Sequence, residues 1–301
     1  MDGREIGRRR FVASAAAAAF AAAGRLGAQT AGGGILAASA KADNELAGAV
    51  RSALESLGGI GRFIKGGERV MLLPNPQGFR TGASTRPDLV AEVVSVCLKA
   101  GASEVRVCSI HYGSRWSGTG IDKAALRAGA AVWTPSGSGA WREAAVARAA
   151  RQKTLRVISP ALDSDVFINL PIAKHHGSTR FTGALKNLMG INAGNAGWHQ
   201  GTSYLVDSIV DLAATVKAQL HIVDVTEVLA ENGPFGPGRN VAPGRIVAGV
   251  DPVAVDTVCL RLMGMNPGEV STVVRAQERG LGTMRLTEVS STAELTTWRG
   301  T

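Results

Sequence analysis

Cysteine is scarce in this chain and badly spaced for chemistry. Its 301 residues hold three, Cys97, Cys108 and Cys259, with no C-x-x-C pair and no ferredoxin spacing. That excludes a cysteine-ligated iron–sulfur cluster. Each cysteine sits among apolar neighbours, so buried, unreactive thiols are expected. Aromatic residues make up only 5%, with two tyrosines. A basic run interleaved with aromatics is missing, so no nucleic-acid partner is expected. No segment is apolar and long enough for a stable membrane span, which takes about 20 residues. Walker loop, dinucleotide G-x-G-x-x-G, nucleophile elbow and H-E-x-x-H are all absent.

What the chain does have is positive charge. Its formal net charge is +9, and the first 40 residues hold five Arg against two acidic residues. The remainder stays basic, in keeping with an anionic small-molecule partner. The start, "GRRRFVA", has the Arg8–Arg9–x–Phe11 pattern of a twin-arginine leader, and the soft, alanine-rich "VASAAAAAFAAAG" follows. Small-residue cleavage sites then occur at Ala28 and Ala40. This order of regions predicts delivery by the twin-arginine translocase to the periplasm or another extracytoplasmic space. Residues 1–40 are therefore read as a leader and 41–59 as an N-terminal helix and linker. Residues 60–290 are read as the folded domain and 291–301 as a tail.

Apolar residues make up 45% and charged residues 19%, an ordinary globular composition. Strand-like and helix-like segments alternate. "RVMLLPN", "EVRVCSI", "AVWTP", "TLRVISP", "DVFINLP", "QLHIVDV" and "GRIVAGV" read as apolar strands. "RPDLVAEVVSVCLKAGA" has helical spacing, with Pro87 near its start and Gly101 at its stop. The alternation predicts an α/β fold, a mostly parallel β-sheet flanked by helices in Rossmann-like layers. Ligands in such folds bind beyond the carboxyl ends of the strands. Asn75, His111, Lys174, His175, His176 and Asp224 each end or follow an expected strand, which places them on that rim.

The densest cluster is "KHHGSTRFTGALKNLMG", residues 174–190. Thr182 can cap a short helix beginning near Gly183, whose free N–H groups would face an anion. Lys174, Arg180 and Lys186 are spaced to reach that anion, and Asn75 and Asn187 complete the expected ligand-binding set. The histidine pair can ligate a metal or act as a general base. Neighbours at a strand end point opposite ways, so one of His175 and His176 should face the pocket. His199, in "NAGNAGWHQGTS", either packs beside Trp198 or folds back as a further ligand for a divalent transition metal. Asp224 is the best carboxylate for acid–base work, and His221 reads as a core histidine. Asp251 before Pro252 looks like a helix cap, and Asp256, one turn later, can face a pocket or a helix dipole. Two functions remain open. One is an exported enzyme using His175, His176 and Asp224; the other is a non-catalytic binder of small molecules in the same pocket.

"DVFINLPIAKHHGSTRFTGALKNLMG", "IVDVTEVLAENGPFGPG", "VAGVDPVAVDTV" and "AQERGLG" follow one another in that order. Together they resemble the family known as domain of unknown function 362. Many members of that family carry a ferredoxin-like iron–sulfur module; the cysteines here do not supply one. The resemblance implies a strand ending K-P-N, whereas this chain has Leu73–Pro74–Asn75. A basic group is thus lost from the implied site, and a member with a decayed site becomes a third reading. "TGALKNLMG" is also distantly similar to the glycine–lysine loop of nickel-pincer lactate racemases.

Overall fold

Val70 and Leu72 point to one side of their strand and Met71 and Leu73 to the other, and all four are buried. A strand apolar on both faces belongs in the middle of a sheet covered twice, and that is where the computed structural model puts it. The structure describes residues 37–42, 45–110 and 114–285. In chain order the strands are β1 (Ala37–Lys41), β2 (Arg69–Pro74), β3 (Glu104–Cys108), β4 (Ala131–Trp133), β5 (Trp141–Ala145), β6 (Thr154–Ile158), β7 (Val166–Leu170), β8 (Lys174–His176), β9 (Arg180–Thr182), β10 (Leu220–Val225), β11 (Val228–Leu229), β12 (Asn240–Val241) and β13 (Arg245–Gly249). The α-helices are α1 (Leu46–Glu55), α2 (Pro87–Lys99), α3 (Ser114–Thr119), α4 (Ile121–Arg127), α5 (Pro160–Asp163), α6 (Ala184–Asn187), α7 (Thr202–Thr215), α8 (Pro252–Leu262) and α9 (Ser271–Glu278).

Seven strands form the main sheet in the order β1-β13-β10-β7-β2-β3-β4. Neighbours from β10 through β4 run parallel, while β13 opposes both β10 and β1. The expected α/β fold with a mostly parallel sheet is therefore what forms. Because side chains alternate along each strand, the sheet splits its core in two. Val70, Leu72, Val166, Ile168 and Ile222 pack with Val50, Leu54, Leu89, Val93 and Ile121 of α1, α2 and α4. Met71, Leu73, Phe167 and Val223 pack with Leu185, Leu205, Ile209, Val258 and Val273 of α6 to α9. Helix α2 forms as its sequence dictates. Pro87 sits in its first turn and Asp88 and Lys99 complement its dipole, while Leu89, Val90, Val93, Val94 and Cys97 fill one buried face. Burial pushes the Cys97 thiol up to about 12 and raises those of Cys108 and Cys259 as well.

Two sequence expectations change here. Strand β6, "TLRVI", does not join the main sheet; it pairs with β5 in a separate two-stranded ribbon. Its partner, "WREAA", went unread because it has no apolar run to betray it. The boundary at residue 40 falls inside β1, which pairs with β13 from Ala37↔Gly249 to Lys41↔Arg245. The segment 41–59 contains α1, which buries Ala49, Val50, Ala53 and Leu54 in the core. The Arg8–Arg9–x–Phe11 pattern, the Ala28 cleavage site, His111 and the 291–301 tail lie outside the described residues. Among the described residues no helix is long and apolar enough to cross a membrane.

The sheet order fixes where a site can lie. From β2 the chain moves outward to β3 and β4; from β7 it moves the other way, to β10. The strands β2 and β7 are hydrogen-bonded neighbours, so a crevice opens past their carboxyl ends, where the connections diverge. Asn75 follows β2 there. The segment after β7 delivers the hairpin β8–β9, paired from Lys174↔Thr182 to His176↔Arg180.

Candidate functional site

A cavity of about 470 Å³ occupies this crevice. Asn75, Asn187 and Gly190 line it from the sheet side, and His176, Thr182, Lys186 and Met189 come from the hairpin and from α6 with the turn that follows it. His199 and Asn195 close one edge, and Pro234 and Phe235 of the loop after β11 close another. Among the described residues no Asp or Glu lines it.

Beneath the cavity a row of side-chain amides runs across the sheet. Lys174 Nζ donates to Asn75 Oδ1 at 3.4 Å. Asn75 Nδ2 donates to Asn187 Oδ1 at 2.9 Å, and Asn187 Nδ2 to Asn169 Oδ1 at 2.8 Å. Asn169 Nδ2 meets His221 Nδ1 at 3.1 Å. Every link has the same sense, and two main-chain carbonyls lock it. Asn187 Nδ2 also donates to Leu73 O, and Asn169 Nδ2 to Ala184 O. His221 Nδ1 must therefore accept, so its neutral ring carries the proton on Nε2; burial pushes its pKa down to about 4. Lys174 is fully buried and also donates to the carbonyls of Ala83 and Pro234. It holds the floor and the Pro234 loop together and does not line the cavity.

The wall is basic and poorly satisfied. Lys186 is buried, and its one hydrogen-bond partner among the described residues is the Met189 thioether, 3.6 Å away. Burial lowers its pKa to about 8. Thr182 Oγ1 is buried with no hydrogen-bond partner among the described residues. His176 Nδ1 accepts from Ser178 N–H at 3.1 Å, which leaves Nε2–H as the polar end of the ring. Burial first, then the nearby Lys186, Lys174, His199 and His175, push its pKa down to about 3. His176 is thus neutral and a donor at physiological pH.

Residues 70–261 match the family model described as Domain of unknown function (DUF362). The chain belongs to this family. The DUF362 match begins in β2 and ends in α8, so it spans the cavity and the amide row. A thylakoid-associated protein of Synechocystis sp. (strain ATCC 27184 / PCC 6803 / Kazusa), sll1697, is 31% identical over 253 residues, 78% of this chain and 75% of that protein. Among solved structures, the lactate racemase apoprotein of Thermoanaerobacterium thermosaccharolyticum aligns with a TM-score of 0.48 at 15% identity. That alignment covers 72% of this chain and 54% of the racemase, so the chain spans about half the length of that enzyme.

Several expected members of the DUF362 site lie elsewhere. The N–H groups at the start of α6 are not open to a ligand. Asp256 of α8 accepts from Ala184 N and, at 3.1 Å, from Leu185 N. Thr182 belongs to β9 and caps nothing. Gly183 permits this approach, since a Cβ there would lie 2.3 Å from Asp256 Oδ1. Arg180 is exposed and pairs with Glu269 at 3.1 Å, away from the cavity. Asp224 is fully buried and accepts from Thr226 N, Thr226 Oγ1 and Arg86 N. It ties α2 to the sheet and has no access for acid–base work. Of the histidine pair, His176 lines the cavity, while His175 Nδ1 accepts from Gly233 N at 3.0 Å and anchors the Pro234 loop. Asp251 is the cap its sequence suggests, accepting from Val253 N and Ala254 N.

The histidine pair offers no lone pair to a metal, whereas His199 Nδ1 donates to the Asn195 carbonyl at 3.1 Å and keeps Nε2 as an acceptor. His175 and His176 both spend Nδ1 on main-chain N–H groups and carry the proton on Nε2, so neither has a lone pair to offer. Among the described residues, no three His, Cys, Asp or Glu side chains gather as ligands. The absent K-P-N lysine leaves no gap in the cavity either. Leu73 takes that place, fully buried in the core, where a Cβ on Gly190 would come within 3.2 Å of its Cδ1. Asn169 is the member that sequence reading missed. An asparagine inside the apolar strand "DVFINLP" was the available signal, because a buried amide must find partners.

Proposed function

We propose that the cavity binds a small organic acid or phosphate ester, held by the Lys186 ammonium, the Thr182 hydroxyl and His176 Nε2–H. One observation carries this reading: a buried lysine amine faces a cavity that, among the described residues, no carboxylate lines. An ammonium taken out of water without a counter-charge is costly, and an incoming anion supplies one. Thr182 Oγ1 gains the partner it lacks, and neutral His176 adds a donor without needing to be charged. Ile110, Pro76, Met189 and Phe235 give the same cavity an apolar side, suited to a hydrocarbon part rather than a bare inorganic ion. Thermal-shift titration with acetate, pyruvate and inorganic phosphate tests this. Stabilisation by at least one of them is expected, with Lys186→Met weakening binding about 10- to 100-fold, the size of a charge-assisted hydrogen bond. Undiminished binding in that variant would place the ligand elsewhere.

The protein is proposed to act outside the cytoplasm, delivered by the twin-arginine translocase. The Arg8–Arg9–x–Phe11 start supports this. The pairing of β1 with β13 favours leader cleavage at Ala28 over Ala40, because cleavage after Ala40 would strip away most of an edge strand. N-terminal sequencing of the exported protein checks this: a mature chain beginning at Lys41 would overturn it.

A further inference from the structure

We propose that Lys186 is an imine-forming nucleophile and that the cavity's ligands are 2-oxo carboxylic acids. This rests on the anion reading above and narrows it to a substrate class. A lysine meant only to hold an anion is normally kept charged by a carboxylate neighbour. Lys186 has none among the described residues: its hydrogen-bond partner is a thioether, and the other titratable side chains that line the cavity are His176 and His199. A desolvated amine gives up its proton readily and becomes a nucleophile. Its characteristic partner in an organic acid is an adjacent carbonyl. The remaining polar groups suit that carbonyl. His176 Nε2–H can donate to its oxygen, and Thr182 Oγ1, which has no partner, can both accept and donate.

The step balances without a further reagent. The Lys186 lone pair attacks the carbonyl carbon, and the C=O π pair moves onto oxygen. A proton passes from the new N–H to that oxygen, with the Thr182 hydroxyl between them. The nitrogen lone pair then forms the C=N bond as hydroxide leaves, and the remaining N–H proton passes to that hydroxide to give water. The product is an imine, which on protonation places its positive charge beside the ligand's own carboxylate. Asn75 and Asn187, held by the amide row, line the cavity's inner side and leave that side firm.

Reductive trapping tests this. The folded protein is incubated with pyruvate and cyanoborohydride and then mapped by peptide mass spectrometry. The expected result is a carboxyethyl group on Lys186, far above that on the surface lysines Lys65, Lys123 and Lys153, and none there in Lys186→Arg. Thr182→Val should keep the adduct but slow its formation several-fold. If pyruvate stabilises the protein yet leaves no adduct on Lys186, the imine proposal is overturned and the anion reading stands. If no acid stabilises it and Lys186 labels no faster than surface lysines, both fail. The wild-type map decides the matter even if the arginine variant does not fold.

Discussion

At the scale of single residues, burial sets the chemistry. Lys186 titrates near 8 because its amine is out of water. Trapping with pyruvate at fixed ligand should therefore rise with pH and reach half its limit near 8, whereas an exposed lysine would lag by more than two pH units. A profile matching that of surface lysines would show that Lys186 is solvated. Asp256 is the mirror case. Burial raises its carboxyl from 3.8 to about 7, although two N–H groups of α6 favour its charged form. The folded chain thus holds a proton that the unfolded chain releases between those values, so this residue makes stability fall as pH rises from 4 to 7. Asp256→Asn should flatten that component in urea denaturation curves. His176 works in the opposite direction. Its ring is pushed from 6.5 to about 3, so the unfolded chain binds the extra proton and stability rises with pH across that window. The two trends oppose each other in the wild type, so single variants are the clean measurement. Lys186, His176 and Thr182 were legible from their spacing after a strand. Arg180 and Asp224 were not separable from them, because sequence order does not reveal which way a hairpin or strand end turns its side chains.

At the scale of elements, the hairpin β8–β9 and the short helix α6 form one device. The hairpin turns the chain back so that Thr182 of β9 and His176 of β8 reach the same cavity, and Gly183 then lets α6 start against Asp256. Gly183→Ala would drive a methyl group into that carboxylate. We expect a loss of about 2–4 kcal/mol, as for other forced core clashes, together with weakened ligand binding as Lys186 moves. Unchanged melting and affinity would mean that α6 can shift freely. The strand pattern made β2, β3, β7, β10 and β13 readable, because each is an apolar run that ends in turn residues. Strand β5 was not readable, and β1 was hidden inside what looks like a leader. Deleting residues 37–41 bares the outer edge of β13, an unpaired ladder. Lower melting temperature and concentration-dependent aggregation are expected, both measurable by fluorimetry and light scattering.

For the whole molecule, topology decides more than any motif. The divergence of connections at β2 and β7 creates the crevice, and the rim expected from alternating elements is the end of the sheet where the cavity lies. The order of strands was not legible, since parallel partners are set by long-range packing. For that reason Asn169 and His221 were not expected beneath the cavity. His221 was read correctly as a core residue, yet it terminates the amide row.

The row's single sense has one further implication. Leu73 O and Ala184 O prevent Asn187 and Asn169 from turning over, so the file cannot reverse to suit a changed end. Should His221 gain a proton in acid, its Nδ1 would press a hydrogen against the Asn169 amide hydrogens, and no neighbour could rotate to relieve it. A residue two strands from the cavity would thereby set the acid limit of the amide row, unopposed at neutrality and opposed as the medium approaches pH 4.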